Sequence, residues 1–191
     1  MTGAGVPVAA FAYDRRTIRM HWISAALVIA LWCLGQTIDW FPRGTPRSLA
    51  RSVHIALGVT LAVVILMRIV WRLGGGRKLP ASERGPTQAV AGFIHAILYL
   101  LLVSALLAGI ANVWVRGDTL FQWFTVPAWD PSNKELRHQV EDIHELLANT
   151  VFFLALMHAG VAIAHHAILR DNVLRRMIPA LKAPATNAKQ R

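Results

Sequence analysis

Residues 143–169 read IHELLANTVFFLALMHAGVAIAHHAIL, a largely apolar run with one charged side chain, Glu145, and four histidines. A run of this length covers the roughly 30 Å of hydrocarbon in a bilayer, which takes about 20 helical residues. Within lipid the backbone polar groups have no water to bond, so such a segment is predicted to be a helix. His144 and His158 are fourteen residues apart in it. At 3.6 residues per turn they fall within about 40° of one face, separated by roughly 21 Å along the axis. One face thus offers an imidazole at each of two depths, as two cofactors stacked in a bundle core require.

Three more segments share this character. The expected spans cover about 18–40, 52–73, 89–114 and 142–169 of a single membrane domain, residues 1–191. The fold class is all-α, an integral membrane up-down-up-down four-helix bundle. Pro42, Gly44 and Pro46 break the chain after the first span, and Gly74–Gly76 closes the second. The longest gap, between spans three and four, holds Phe121, Trp123, Phe124 and Trp129 with Pro127 and Pro131. It reads as a loop lying in the membrane interface, an aromatic belt; a lid over a cofactor edge is the alternative. The chain up to Ala12 lacks the basic start of a cleaved leader, so the first span is expected to be retained. A short Ala/Lys tail after Pro179 reads as disordered.

Composition agrees with this organisation. The sequence is 55% hydrophobic, yet its net charge is +10. The basic residues sit beside apolar runs rather than in a stripe on a polar domain, which argues for headgroup contact and against nucleic acid. The N-terminus, the second-to-third loop and the C-terminus carry fourteen of the twenty Lys and Arg residues, and the other two loops carry six with seven of the ten acids. Both termini are therefore expected to be cytoplasmic. Cys33 is the lone cysteine, which leaves no disulfide framework and no covalent haem attachment motif.

Histidines within spans are costly and usually functional. His54 lies about one turn into span two from its outer end and matches His144 at the outer start of span four. His21 lies roughly 22 Å below the outer end of span one, near Gln36, and matches the depth of His158. His165 shares the face of His158 but lies roughly 35 Å down, at the inner headgroups. Paired imidazoles could hold zinc or copper, but a closed zinc site wants about four ligands. Apolar surroundings without acids favour a planar macrocycle with two axial nitrogens. Gly58 and Ala159–Gly160 would let such a ring approach the backbone, or serve ordinary helix packing.

Several segments, in order, carry a resemblance. They are RTIRMHW at 16–22, VHIALG at 53–58, HAILYL at 95–100, IHELLAN at 143–149, LMH at 156–158, HH at 165–166 and DNVLRRMIP at 171–179. From Asp14 to Pro179 the chain resembles the bacterial cytochrome b561 family. The resemblance implies an inner-membrane bundle with two haem b groups, ligated by His21 and His158 on the cytoplasmic level and by His54 and His144 on the periplasmic level. It also implies electron exchange with the quinone pool, ubiquinone being the expected substrate. Some members oxidise superoxide on the periplasmic side, and related cytochromes serve as membrane subunits of hydrogenases and other dehydrogenases.

Quinone reduction needs protons, and His95 and His165 on the inner side are the candidates to supply them; hydrogen bonding to a propionate or a backbone carbonyl is the alternative role. Arg19 and Arg68 at the inner boundary could pair with haem propionates or snorkel to headgroups. The approach to His144 holds Glu135, Glu141, Asp142 and Glu145 against Lys134 and Arg137, with Arg43, Arg47 and Arg51 in the other outer loop. That balance gives no clear field for an anion, so superoxide is not assigned as the donor. Three functions are open: a di-haem cytochrome between a periplasmic donor and quinone, acting as a quinone oxidoreductase; a haem-bearing anchor for a partner hydrogenase or dehydrogenase; and a histidine-lined metal transporter. Four spans without intramembrane carboxylates or broken helices argue against the last.

Overall fold

The computed structural model describes residues 12–76, 79 and 86–181. Arg77, Lys78, Arg84, Lys182, Lys189 and Arg191 lie outside the described residues. So do the chain before Ala12, with its retained-leader reading, and the Ala/Lys tail beyond Leu181.

Four helices are long and apolar enough to cross a membrane. Helix α1 covers Arg15–Thr37 and continues as a 3-10 turn, Ile38–Trp40; α2 is Thr45–Gly74; α3 is Pro86–Arg116; α4 is Lys134–Ala164, followed by a π-helical turn, His165–Leu169. We call the end bearing Arg15 and Leu169 the inner end. Local chemistry explains the boundaries. Asp14 caps α1 by accepting the Thr17 N–H at 2.9 Å, and Asn133 caps α4 by accepting the Leu136 N–H at 2.9 Å. Gly44 turns the chain with φ 95°, and Pro46 then sits in the first turn of α2, where its missing N–H costs nothing. Pro46 therefore starts a helix, where the sequence reading had it only as a breaker. Helices α2 and α4 both begin earlier than the expected spans. Their added outer turns carry Arg47, Arg51, Glu135 and Glu141, which hydropathy does not count as membrane.

The helices pack as two antiparallel hairpins, α1 against α2 and α3 against α4, with sparser contact between the hairpins. Leu61, Ile65 and Val151 are buried between helices, while Val59, Val63, Leu66 and Val70 form an exposed stripe along α2 at helical spacing. That stripe is the lipid face of a membrane helix. Polar ties join the hairpins. At mid-depth the Trp32 indole N–H donates to Asn149 Oδ1 at 2.9 Å, and its ring stacks on Phe152 at 3.9 Å between centroids. At the inner end the Trp22 indole donates to the Met177 carbonyl at 3.0 Å, and the Tyr13 amide to the Arg176 carbonyl at 3.2 Å. The segment after α4 is thereby fastened under α1.

The gap between α3 and α4 is more ordered than an interfacial loop. Thr119–Leu120 (β1) pairs antiparallel with Phe124–Thr125 (β2), and Phe121 and Gln122 take φ of 48° and 65°. Two successive left-handed residues give the tight turn whose twist suits a hairpin. Neither residue is glycine, so the sequence carried no turn signal. Ser52 of α2, 1% exposed, anchors the hairpin: its hydroxyl donates to the Ser48 carbonyl at 2.8 Å and accepts the Phe121 N–H at 2.9 Å. At the tip Trp123 is 95% exposed.

Ser52→Ala would leave the Phe121 N–H without its acceptor, at a cost of about 1–3 kcal/mol. The expected result is faster hydrogen exchange across residues 119–125 with the helices unaffected; unchanged exchange there would contradict the anchoring role.

Candidate functional site

The outer level joins the two hairpins through His54 of α2 and His144 of α4. Their ring centroids are 6.2 Å apart with planes at 83°. Two imidazole nitrogens each about 2 Å from one shared metal, with the ring centres about 1 Å further back, would place the centroids roughly 6 Å apart. The His144 Nδ1 lies 3.0 Å from the Ala105 carbonyl of α3. A carbonyl only accepts, so Nδ1 carries the hydrogen and Nε2 keeps its lone pair. The His54 Nδ1 is buried and makes no hydrogen bond within the protein. The His144 ring thus aims one nitrogen at the backbone of a neighbouring helix, the kind of contact that orients a ligating histidine.

Glycines give these rings room. A Cβ at Gly109 would lie 3.0 Å from His144 Cε1, and one at Gly35 would lie 3.5 Å from His54 Cε1. The sequence reading had singled out Gly58 and Gly160 instead; a Cβ at either meets nothing within 4 Å. Gly35 and Gly109 were missed because a glycine in an apolar run has no signature until the facing helix is in place.

Three histidines converge at the inner level. His158 of α4 packs edge-on against His95 of α3, centroids 5.2 Å apart, and His21 of α1 lies within electrostatic reach of both. The ring contact of His158 is therefore with His95, while its expected partner His21 stands nearby. The His95 Nδ1 donates to the Ala91 carbonyl one turn back at 2.7 Å, which leaves its Nε2 free. Arg68 reaches in from α2. Its Nη1 donates to Ser24 Oγ, its Nη2 lies 3.4 Å from His21 Nδ1, and its guanidinium stands 5.3 Å from the Tyr99 ring centre. Arg19 is exposed on α1. Ser24 and Tyr99 were not singled out from sequence, though each lies one turn from a histidine, His21 and His95 respectively. His165 sits on the π-helical turn, its Nδ1 2.5 Å from Asp171 Oδ2.

Acids engage the arginines beside the outer level. Arg51 meets Asp118 at 3.4 Å, Arg116 meets Glu141 at 2.6 Å and Asp118 at 3.8 Å, and further out Arg47 meets Asp39 at 3.1 Å. Burial pushes the Asp118 carboxyl above its ordinary range, although Arg116 and Arg51 pull the other way. Among the described residues no three His, Cys, Asp or Glu side chains gather closely enough to hold a metal ion. Two imidazoles alone suit a metal that brings its own equatorial ligands, which is what a haem is. The residues present fit that group.

A membrane bundle with half-buried imidazoles facing across its helices defines a class, the membrane cytochromes that hold haem without covalent attachment. The chain belongs to the prokaryotic cytochrome b561 family, whose sequence profile matches residues 12–180. It is 30% identical to cytochrome b561 homolog 1 of Escherichia coli K12, over 89% of this chain and 98% of that protein. It is 29% identical to a probable superoxide oxidase, CybB, of Yersinia pestis, over 87% of this chain and 96% of that one. Cytochrome b561 homolog 2 of Escherichia coli K12 is 29% identical over 83% of this chain and 86% of that protein. The chain is thus a multi-pass bacterial membrane cytochrome that binds haem b and takes part in haem-mediated electron transfer.

Gly109→Ala would push a methyl group into the His144 ring. Haem content measured by pyridine haemochrome should fall; full retention of haem would show that the ring position is not critical.

Proposed function

We propose that the chain is a di-haem cytochrome carrying electrons between a periplasmic donor and ubiquinone in the membrane. The observation that carries this reading is the His54–His144 pair, which spans the two hairpins at the separation that a shared iron needs, with Nδ1 of His144 bonded to backbone and Nε2 free. His21 and His158 are the proposed axial ligands of the second haem, in the cluster completed by His95. Both termini are assigned to the cytoplasmic side by the charge count. Bound haem supplies an iron that takes up and gives off one electron at a time.

The rest of the work falls to the chain. The hydrogen bonds from Nδ1 hold His144 and His95 in the tautomer whose Nε2 keeps its lone pair. A guanidinium only donates, so its approach to His21 Nδ1 suits the opposite tautomer. Ligation by His21 through Nε2 therefore asks Arg68 to move to another acceptor, and a propionate at this level is the one we assign. Reducing a quinone takes two electrons and two protons, and His95 and His165 are the candidates to deliver the protons at the inner end.

We do not assign superoxide as the donor, since Arg51 and Arg116 are engaged by Asp118 and Glu141. A second reading has a specific observation in its favour. Trp123, Phe124 and Trp129 are 95%, 60% and 68% exposed on the outer hairpin and the irregular segment after it, a surface on which a partner hydrogenase or dehydrogenase could dock. Co-purification of a larger enzyme would decide for that role.

The reduced-minus-oxidised spectrum of the purified protein should be of b type with two haems per chain, and His54→Ala or His144→Ala should remove one of them. One haem per chain in the unaltered protein, or a colourless protein that binds zinc, would overturn the reading. His95→Ala and His165→Ala should slow quinone reduction by about 100-fold, the low end for a lost general acid, with both haems kept. Unchanged rates in both variants would reject these residues as proton donors.

A further inference from the structure

Helix α4 ends in an unusual way. Its last residues, His165–Leu169, widen into a π-helical turn, and Arg170 adopts the left-handed conformation with φ 55° and ψ 38°. The amides of Arg170 and Asp171 both return to the His165 carbonyl, the second at 3.2 Å. A left-handed non-glycine residue costs roughly 1–2 kcal/mol. The reversal brings one side chain back onto another. Asp171 Oδ2 stands 2.5 Å from His165 Nδ1, and Asp171 Oδ1 accepts the Val173 N–H at 2.9 Å. Both oxygens of the carboxylate are therefore held.

Exposure makes the pair usable. The His165 and Asp171 side chains are 19% and 23% exposed, shielded enough to keep one geometry yet open enough to exchange protons. A carboxylate only accepts, so the shared hydrogen resides on Nδ1 and Nε2 is left to bind or release a proton.

We propose that Asp171 is a positioning residue for proton delivery by His165 to the quinone. This rests on the reading of His165 as a proton donor at the inner end. In the step, Nε2 of the His165 imidazolium gives its proton to a quinone oxygen as that oxygen gains electron density from the electrons the cytochrome carries. The N–H bond breaks, an O–H bond forms, and the neutral ring regains a proton at Nε2 from water at that face. Two electrons and two protons convert the quinone to the quinol. Asp171 stays a carboxylate throughout, fixing the ring's tautomer and orientation and offsetting the charge of the imidazolium. The same fold element that ends the last span thus places an acid–base group at the edge of the membrane.

The test uses the purified holoprotein and a short-chain ubiquinone analogue. Asp171→Asn keeps the shape but lets the ring adopt the other tautomer. It should lower kcat by about 10–100-fold, the usual scale for a lost orienting partner, with KM and the haem spectrum unchanged. In a His165→Ala background the same change should add no further loss. A full rate in His165→Ala would reject His165 as a proton donor and with it the role of Asp171. A slow His165→Ala beside a fast Asp171→Asn would leave that reading standing and overturn the positioning role. A third measurement does not depend on any variant folding: in nitrogen-15 NMR of the histidine-labelled native protein, His165 should carry its proton on Nδ1, and a proton on Nε2 in the resting neutral ring would overturn the proposal.

Discussion

An imidazole that gives its Nδ1 hydrogen to a backbone carbonyl has one polar atom left, and in a bilayer core that atom has no water to meet. His144 has its Nδ1 on the Ala105 carbonyl, and its ring stands 6.2 Å from that of His54 on a helix of the other hairpin. The need to satisfy facing nitrogens with something other than each other sets much of the rest. It explains why the two hairpins are tightly packed within themselves and sparsely joined to one another. It explains why glycine, rather than a larger residue, stands behind the outer rings at Gly35 and Gly109. The ties between hairpins lie at Trp32 and Asn149 in mid-depth, at Arg68 and Tyr99 in the inner level, and at Trp22 and Met177.

Much of this was legible in the sequence, because membrane helices announce themselves by length and apolarity and because depth along a helix is simple arithmetic. The pairing of His54 with His144 came from matching depths, and the structure brings those two rings together. The inner level was less legible. Depth could rank His158 and His165 against His21, but it could not show that His95 on α3 turns its ring onto His158, since rotation about a helix axis depends on how the neighbouring helix packs. Likewise Arg116, Asp118 and Glu141 were visible only as loop charges, and their convergence depends on the hairpin that Ser52 holds in place. The turn of that hairpin was hidden because Phe121 and Gln122 carry no glycine signature. Asp171 lay in plain view within a quoted motif, yet only a chain reversal at Arg170 gives it a role.

The two ends of the bundle divide the chemistry. At the outer end positive and negative groups meet in close pairs, so the surface near His144 is built more for a fixed geometry than for drawing in an anion. At the inner end Arg68, His21, His95, His158 and the His165–Asp171 pair bring one strong cation and several proton carriers into a small region. Electron transfer alone needs no such set. Coupling electrons to protons, as we propose for this end, would use one.

The central proposal is that His54 and His144, whose rings stand 6.2 Å apart with planes at 83°, would together hold one haem iron. Low-temperature electron paramagnetic resonance of the oxidised protein tests it most directly. The account predicts the strongly anisotropic low-spin ferric signal of an iron held by two imidazoles in crossed planes, lost on His144→Ala. A high-spin ferric signal in the native protein, the mark of an iron missing one of those nitrogens, would contradict it.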